Sequence, residues 1–325
     1  MPKTDILLID AYSQIFRCFY AIRALSNSRG EPTNAIFGFT KLLLRIDKNY
    51  PSEYGALLFD CGKPEFRLEL APDYKANRPP TPEDLKAQVP YLKEVAEAFG
   101  WNSFFQEGYE ADDLIAVVAA EFNDKSVKFI SSDKDLAQLI DERVEMLIPA
   151  KTSTGFTIRG TQEVVEKFNV KPEQIIDYLA MIGDSSDNIP GLKGVGPKTA
   201  AKLLHEFGSI DNILAEPEKI SNAKLRQKVI DNTELLKKNI KLVTLKADID
   251  KAPWQGIRKL KRNQPDWDKI RDFCQRMELH SIIKELPPAD DLWSAPPIKK
   301  EPPAAKTKQK KESDKFAPDL FGGND

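Results

Sequence analysis

Three short apolar runs, each closed by an aspartate, constrain this chain more than any other feature. They are Ile6-Leu7-Leu8-Ile9-Asp10, Ala56-Leu57-Leu58-Phe59-Asp60 and Val127-Lys128-Phe129-Ile130-Ser131-Ser132-Asp133. Each is short, rich in branched or aromatic residues, and separated from the next by helix-like sequence, the pattern of buried strands in a parallel α/β sheet. Met146-Leu147-Ile148 before Pro149 reads as a fourth strand. Residues 82–99 and 111–122 carry apolar positions at helical spacing. From about Glu163 to Leu286 the chain reads as mostly helical, with turns marked by glycine and proline. Beyond Leu286 the sequence is rich in Pro, Lys and Glu and nearly free of large apolar side chains, so it is expected to be disordered. The expected organisation is an α/β core over 1–162, a helical region over 163–287 and a disordered tail over 288–325.

A length of 325 residues suffices for one large domain or two modest ones. The formal net charge of −2 argues neither for nor against nucleic acid, so such binding must come from local patches. Cys18, Cys61 and Cys274 lie far apart, which excludes a disulfide framework and a cysteine-zinc site and suits a reducing cytoplasm. The first residues run straight into an apolar strand, so no signal peptide is expected. No apolar run approaches the roughly 20 residues needed to cross a bilayer, and no membrane partner is expected. Only His205 and His280 occur, so acidic side chains must carry any catalysis.

In an open parallel sheet, ligands bind beyond the carboxyl ends of the strands, so Asp10, Asp60 and Asp133 should converge there. Taken singly, a strand-end aspartate is usually a helix cap or turn residue. More acids join these three, however. Glu110-Ala111-Asp112-Asp113 opens a helix, Asp133 and Asp135 share one loop, and Asp184 and Asp187 share another. The first group also suits a helix N-terminus, where negative charge is favourable by about 0.3–1 kcal/mol. The last also suits an exposed turn. Gathered in one crevice, so many carboxylates repel unless cations neutralise them. Oxygen ligands without histidine or thiolate favour Mg²⁺ or Mn²⁺, and two such ions about 3.5–4 Å apart serve phosphodiester hydrolysis.

The segment Gly191-Leu192-Lys193-Gly194-Val195-Gly196-Pro197-Lys198-Thr199-Ala200-Ala201-Lys202 supplies a second signal. Its glycines permit a tight hairpin, Pro197 suits the first turn of a helix, and the free amides there can bind phosphate. Lys193, Lys198 and Lys202 add positive charge, so Lys193 to Lys202, including Gly194, Val195, Gly196 and Thr199, read as a sequence-independent grip on a nucleic-acid backbone. Tyr74-Lys75-Ala76-Asn77-Arg78-Pro79-Pro80 is a third candidate, with cations and a ring suited to steering a single strand, although a solvated loop fits it as well.

The segments LLIDAYS, LLFDCG, YKANRPP, EADDLI, SSDKDLAQL, GDSSDNIPG and GVGPKTA occur in the order seen in the 5′ nuclease domain of bacterial DNA polymerase I. Over roughly Lys3 to Leu286 the chain resembles that domain and the wider flap endonuclease superfamily. The resemblance implies a PIN/flap-endonuclease-like α/β fold, with an arch segment near 70–90 and a helix-hairpin-helix element near 183–206. It implies Asp10, Asp60, Glu110 and Asp112 around a first metal, Asp133 and Asp135 beside both, and Asp184 and Asp187 on a second. Asp113 is grouped with these as a supporting acid. Tyr74, Lys75 and Arg78 resemble the arch through which a 5′ flap passes, with Lys75 and Arg78 also stabilising charge on the reacting phosphate. The hairpin resembles the duplex-binding element, which often carries K⁺.

The implied activity is 5′-3′ exonuclease and flap endonuclease cleavage of DNA bearing a 5′ flap, nick or branched junction, in primer removal and repair. A bacterial, nucleoid-associated, cytoplasmic monomer is expected, standing alone rather than followed by polymerase domains, or else an excised fragment of such a polymerase. Ala317-Pro318-Asp319-Leu320-Phe321 resembles the Leu-Phe core of sliding-clamp-binding peptides, without the usual leading glutamine, and an apolar patch in a disordered end is the favoured reading of it. A phosphatase often needs a second carboxylate two residues after its strand-end aspartate, and that position is Tyr12. A related RNA-directed nuclease would lack the hairpin. A non-catalytic DNA-junction binder is the rival reading, and it would not need so many acids.

Overall fold

The computed structural model describes residues 4–150 and 155–288. The expected disordered tail from residue 289 onward, and the clamp-like peptide within it, lie outside the described residues. Six strands form one sheet: β1 (Thr4–Asp10), β2 (Ser52–Phe59), β3 (Asn102–Phe105), β4 (Val127–Ile130), β5 (Val144–Pro149) and β6 (Phe156–Arg159). Their order is β3-β2-β1-β4-β5-β6, parallel except for the antiparallel β5–β6 pair. The four strands expected from the sequence are present. β3 and β6 were not expected. Both are four-residue edge strands without a buried branched run, and edge pairing leaves little hydrophobic signature.

Alternation along β1 divides the interior. Ile6 and Leu8 face one apolar core with Ala56, Leu58, Phe129 and Met146, and Leu7 and Ile9 face the other with Leu57, Ile130 and Leu147. Helices cover both faces, which is why the central strands read as continuous apolar runs. On the second face Ala11–Ala21 packs on Asn34–Asn49, which packs on Val89–Ala98. On the first face lie Ala111–Glu121 and the helices between residues 161 and 243. The expected helix over 82–99 is broken into Glu83–Lys86 and Val89–Ala98.

The helical region is not set apart from the sheet. Leu179, Leu203, Leu236 and Trp254 share one buried cluster with Ile6 and Leu8. Helix Trp267–Arg276 returns to the opposite face, where Ile270 and Phe273 join Leu7 and Ile9. Two glycines shape the region near the sheet edge. Gly183 has φ +74°, and a Cβ there would lie 2.3 Å from the Gly191 nitrogen. This close approach lets Gly183–Asp184 pair with Ile189–Pro190 as a tight loop that presents Asp184 and Asp187. Gly194, with φ +79°, turns the chain before helix Pro197–Phe207, a conformation other residues adopt only with strain.

Candidate metal and nucleic-acid site

The acids meet where strand order reverses. β1 is flanked by β2 on one side and β4 on the other, so its carboxyl end opens on a crevice. Asp10 ends β1 and caps the next helix, accepting from Ser13 N at 3.2 Å and from the Ser131 hydroxyl at 2.9 Å. The capping role and the site role thus coexist in one side chain. Asp60 follows β2 and accepts from Ala111 N at 2.7 Å, which ties it to the helix carrying Asp112. Asp133 follows β4 and accepts from Asp135 N at 2.9 Å.

Electrostatics report how these groups sit. Burial pushes the Asp10 carboxyl up to about 7, and neighbouring Asp60 adds to it against the opposing bonds from Ser131 and Ser13. Burial and then Glu110 raise Asp60. Asp112 is driven well above the usual range by burial, then by Asp10, Asp133 and Asp60. Burial, with Asp133 and Asp184 adding repulsion, lifts Asp135 to about 8. Asp133 is raised by burial, opposed by its bond from Asp135 N. Asp184 alone falls below its ordinary value. Burial pushes it up, but bonds from Ser186 and Lys134 outweigh that, with Lys134 Nζ 2.9 Å away.

Among the described residues, no three His, Cys, Asp or Glu side chains are already gathered as a cage for one ion. They face one crevice as neighbours, held by bonds to backbone, hydroxyl and cationic groups. The donor set nevertheless fits hard divalent cations. It is all carboxylate, and the buried Asp112 Oδ1 and Asp135 Oδ1 have no hydrogen-bond partner among the described residues, an arrangement costly for a carboxylate that no cation meets.

Three expected site residues are already engaged by the rest of the chain. Asp113 is fully buried, and each of its oxygens accepts from Arg67 at 2.7 Å. Oδ1 also takes Lys246 N at 2.9 Å and Oδ2 takes Glu110 N at 3.2 Å. Its place is that of a support under Glu110 rather than a free ligand. Tyr74 is 7% exposed, with its ring in the apolar core, so base stacking on it is corrected. Its hydroxyl instead donates at 2.9 Å to Glu110 or at 3.1 Å to Asp187. Val195 is also buried, and its amide is spent on Leu192 O at 2.9 Å, so neither its side chain nor that amide is offered to a phosphate.

Within the arch segment expected near 70–90, residues 71–82 contain no helix, and Glu83–Lys86 is a short one. Pro72, Pro79, Pro80 and Pro82 remove amide donors, and Lys75 sits at φ 57°. The segment lies as a strap across the acids. Lys75 Nζ pairs with Glu110 and stands 3.6 Å from Asp187, and Arg78 donates to Asp187 at 2.6 Å. Burial opposes the Lys75 charge, yet Glu110, Tyr74 and Asp187 together outweigh it and the ammonium is held well above its usual range.

At the hairpin, Lys193, Lys198 and Lys202 are exposed, as Gly194 is, and Thr199 and Gly196 are half-buried. A groove of about 320 Å³ runs beside it, lined by Lys198, Thr199, Lys202, Ser221 and Asn222. Lys228 Nζ donates to Lys193 O at 2.8 Å. Arg67, Lys134, Ser131 and Lys228 were not anticipated. A signal existed only for Arg67, as the arginine of the otherwise apolar-faced helix Glu65–Leu70.

Comparison with known proteins bears on this geometry. Residues 5–169 match the family model for the 5′-3′ exonuclease N-terminal resolvase-like domain, and residues 170–268 match that for the 5′-3′ exonuclease C-terminal SAM fold. The chain is 40% identical over 283 residues to a 5′-3′ exonuclease of Aquifex aeolicus, covering 86% of this chain and 94% of that one. It is 37% identical over 291 residues to the thermostable DNA polymerase I of Thermus thermophilus, covering 88% of this chain and 33% of that one. The chain thus spans about a third of the polymerases it matches. Among solved structures, a bacteriophage T5 flap endonuclease complexed with DNA and metal ions aligns with a TM-score of 0.62 at 25% identity, covering 86% of this chain and 97% of that one. The catalytic core of Rad2 with DNA substrate aligns at 0.60 and 16% identity, over 87% and 92%, a likeness of fold. Among the described residues, no helix is long and apolar enough to cross a membrane.

Proposed function

This chain belongs to the 5′-3′ exonuclease family, and from that premise we propose that it is a structure-specific 5′ nuclease that hydrolyses phosphodiester bonds in flapped, nicked or branched DNA during primer removal and repair. One observation carries the reading. A crevice of mutually repelling, buried carboxylates lies under a strap of two cations.

Asp10, Asp60, Glu110 and Asp112 would hold one divalent ion and Asp184 and Asp187 a second, with Asp133 and Asp135 beside both. Mg²⁺ or Mn²⁺, when bound, neutralises such carboxylates and supplies Lewis-acid activation for phosphodiester hydrolysis. The remaining work falls to the chain's own side chains. Lys75 and Arg78 sit on the rim of the acids with their charges directed inward, where they can bind the scissile phosphate and offset the charge it gains in the transition state. Arg67 and Asp113 brace Glu110 from below, which fixes one wall of the crevice. Lys193, Lys198 and Lys202 hold the duplex backbone away from the chemistry and read no sequence. K⁺ at the hairpin carbonyls belongs to the same reading, with Lys228 already supplying one positive charge at Lys193 O. A monomer acting in the cytoplasm at the nucleoid, with a sliding clamp as partner through Ala317–Phe321, belongs to the same proposal.

A labelled 5′-flap duplex tests the reading. The purified chain should release short 5′ products with Mg²⁺ and none with EDTA. Binding of the flap without cutting under any divalent ion would replace the nuclease by a junction-binding protein.

A further inference from the structure

The strap and the loop that bears Asp184 and Asp187 are fastened together by two asparagines. Asn77 Nδ2 donates to Ser185 O at 2.7 Å, from strap to loop. Asn188 Nδ2 donates in the other direction, to Asp73 O at 2.8 Å and Asp73 Oδ2 at 3.0 Å. Between them the Lys75 amide donates to Asp187 O at 3.1 Å. Lys75 and Asn188 both occupy the left-handed region, at φ 57° and 58°. That conformation disfavours most side chains, and asparagine tolerates it best after glycine. Backbone strain thus faces backbone strain across the seam, at the two residues that join the segments.

The seam has a geometric consequence. Lys75 and Arg78 flank Asn77, and Asp187 precedes Asn188. A shift along the seam moves both cations relative to the Asp187 carboxylate that Arg78 contacts at 2.6 Å. Neither amide touches the acid crevice itself.

We propose that Asn77 and Asn188 are positioning residues that set the register of Lys75 and Arg78 over the acids, and so govern the chemical step rather than DNA affinity. The inference rests on the nuclease reading. Asn188→Gly separates the amide from the backbone, because glycine accepts φ 58° without strain. In the full chain with Mg²⁺ and a 5′-flap duplex, it should slow single-turnover cutting by about tenfold to a hundredfold, the scale of a reacting group displaced by about 1 Å. Flap affinity, measured with Ca²⁺ in place of Mg²⁺, and the melting temperature should match wild type. Asn77→Ala, an exposed position, should behave alike from the other side of the seam. In an Arg78→Ala background the Asn188→Gly loss should shrink, since the two act as one unit. Wild-type cutting by Asn188→Gly and Asn77→Ala overturns the proposal, as does a loss wholly in affinity or fully additive with Arg78→Ala. Failure of wild type to cut the flap overturns the nuclease reading instead.

Discussion

Arg67 Nη1 and Nη2 each donate a 2.7 Å hydrogen bond to a different oxygen of Asp113, a forked pair that is 2% and 0% exposed. The same guanidinium reaches Glu110 at 3.0 Å and the Leu242 carbonyl at 3.1 Å. It therefore joins three parts of the chain: helix Glu65–Leu70 that carries it, helix Ala111–Glu121 at its acidic start, and the end of helix Thr233–Val243. A planar, permanently charged group with five donors suits this place, and lysine does not.

Removing one partner of such a pair leaves a buried charge unmet. Arg67→Met should lower unfolding free energy by about 3–5 kcal/mol. Denaturant titration measures this. A cost below about 1 kcal/mol would mean that Asp113 finds another partner.

Asp133 tests the crevice directly. Its carboxylate follows β4 and is raised by burial and by repulsion from Asp187 and Asp184. Asp133→Ala should cut a flap at least about a hundredfold more slowly, the scale of losing one electrostatic stabiliser. Duplex affinity should hold, because the lysine hairpin lies elsewhere on the chain. Cutting at the wild-type rate by a folded Asp133→Ala protein would remove Asp133 from the site.

Much of this was legible in the residue string, for physical reasons. Ile6–Asp10, Ala56–Asp60 and the run from Val127 are buried on both faces, so apolarity alone marks them as central strands, and their ends meet at the reversal of strand order. What stayed hidden depends on side-chain partners distant in sequence. Tyr74 read as a stacking ring because its neighbours are polar and basic, yet Leu58, Leu114 and Met181 belong to the core that takes it. The strap read as an arch, but nothing local reveals that Asn77 and Asn188 lie across one seam, 111 residues apart. Asp113 and Asp112 are adjacent and identical in type; the family resemblance set Asp113 apart as a support, but the physical reason, its pairing with Arg67, is remote in the chain.

The hairpin predicts a salt dependence. Lys198 and Lys202 lie one turn apart at the start of helix Pro197–Phe207, both exposed beside the same groove. If each meets a phosphate, Lys198→Ala/Lys202→Ala should flatten the slope of log affinity against log salt by about 2. Fluorescence anisotropy with several unrelated duplex sequences measures it. An unchanged slope, or a loss confined to one sequence, contradicts a backbone grip.

The carboxylates also fix how stability responds to pH and to metal. Asp10 is pushed up to about 7 and Asp135 to about 8 from an ordinary value of 3.8, chiefly by burial. Asp60, Asp112 and Asp133 are raised in the same direction. A raised folded value means that the native chain holds protons which the unfolded chain has already released. Between about pH 4 and pH 8 the native state therefore binds more protons, and unfolding free energy falls as pH rises. Below that window both states are protonated and the penalty is absent. Above it the penalty is complete. Divalent ions compete with those same protons, so Mg²⁺ should raise the melting temperature more at about pH 8 than at about pH 5. Asp112→Asn removes one of the repelling charges. In EDTA at about pH 8 it should melt higher than wild type, while the gain on adding Mg²⁺ shrinks. An equal Mg²⁺ gain at both pH values would show that the ion binds away from the crevice. A lower melting point for Asp112→Asn in EDTA would show that its carboxylate is stabilised by a partner rather than strained by its neighbours.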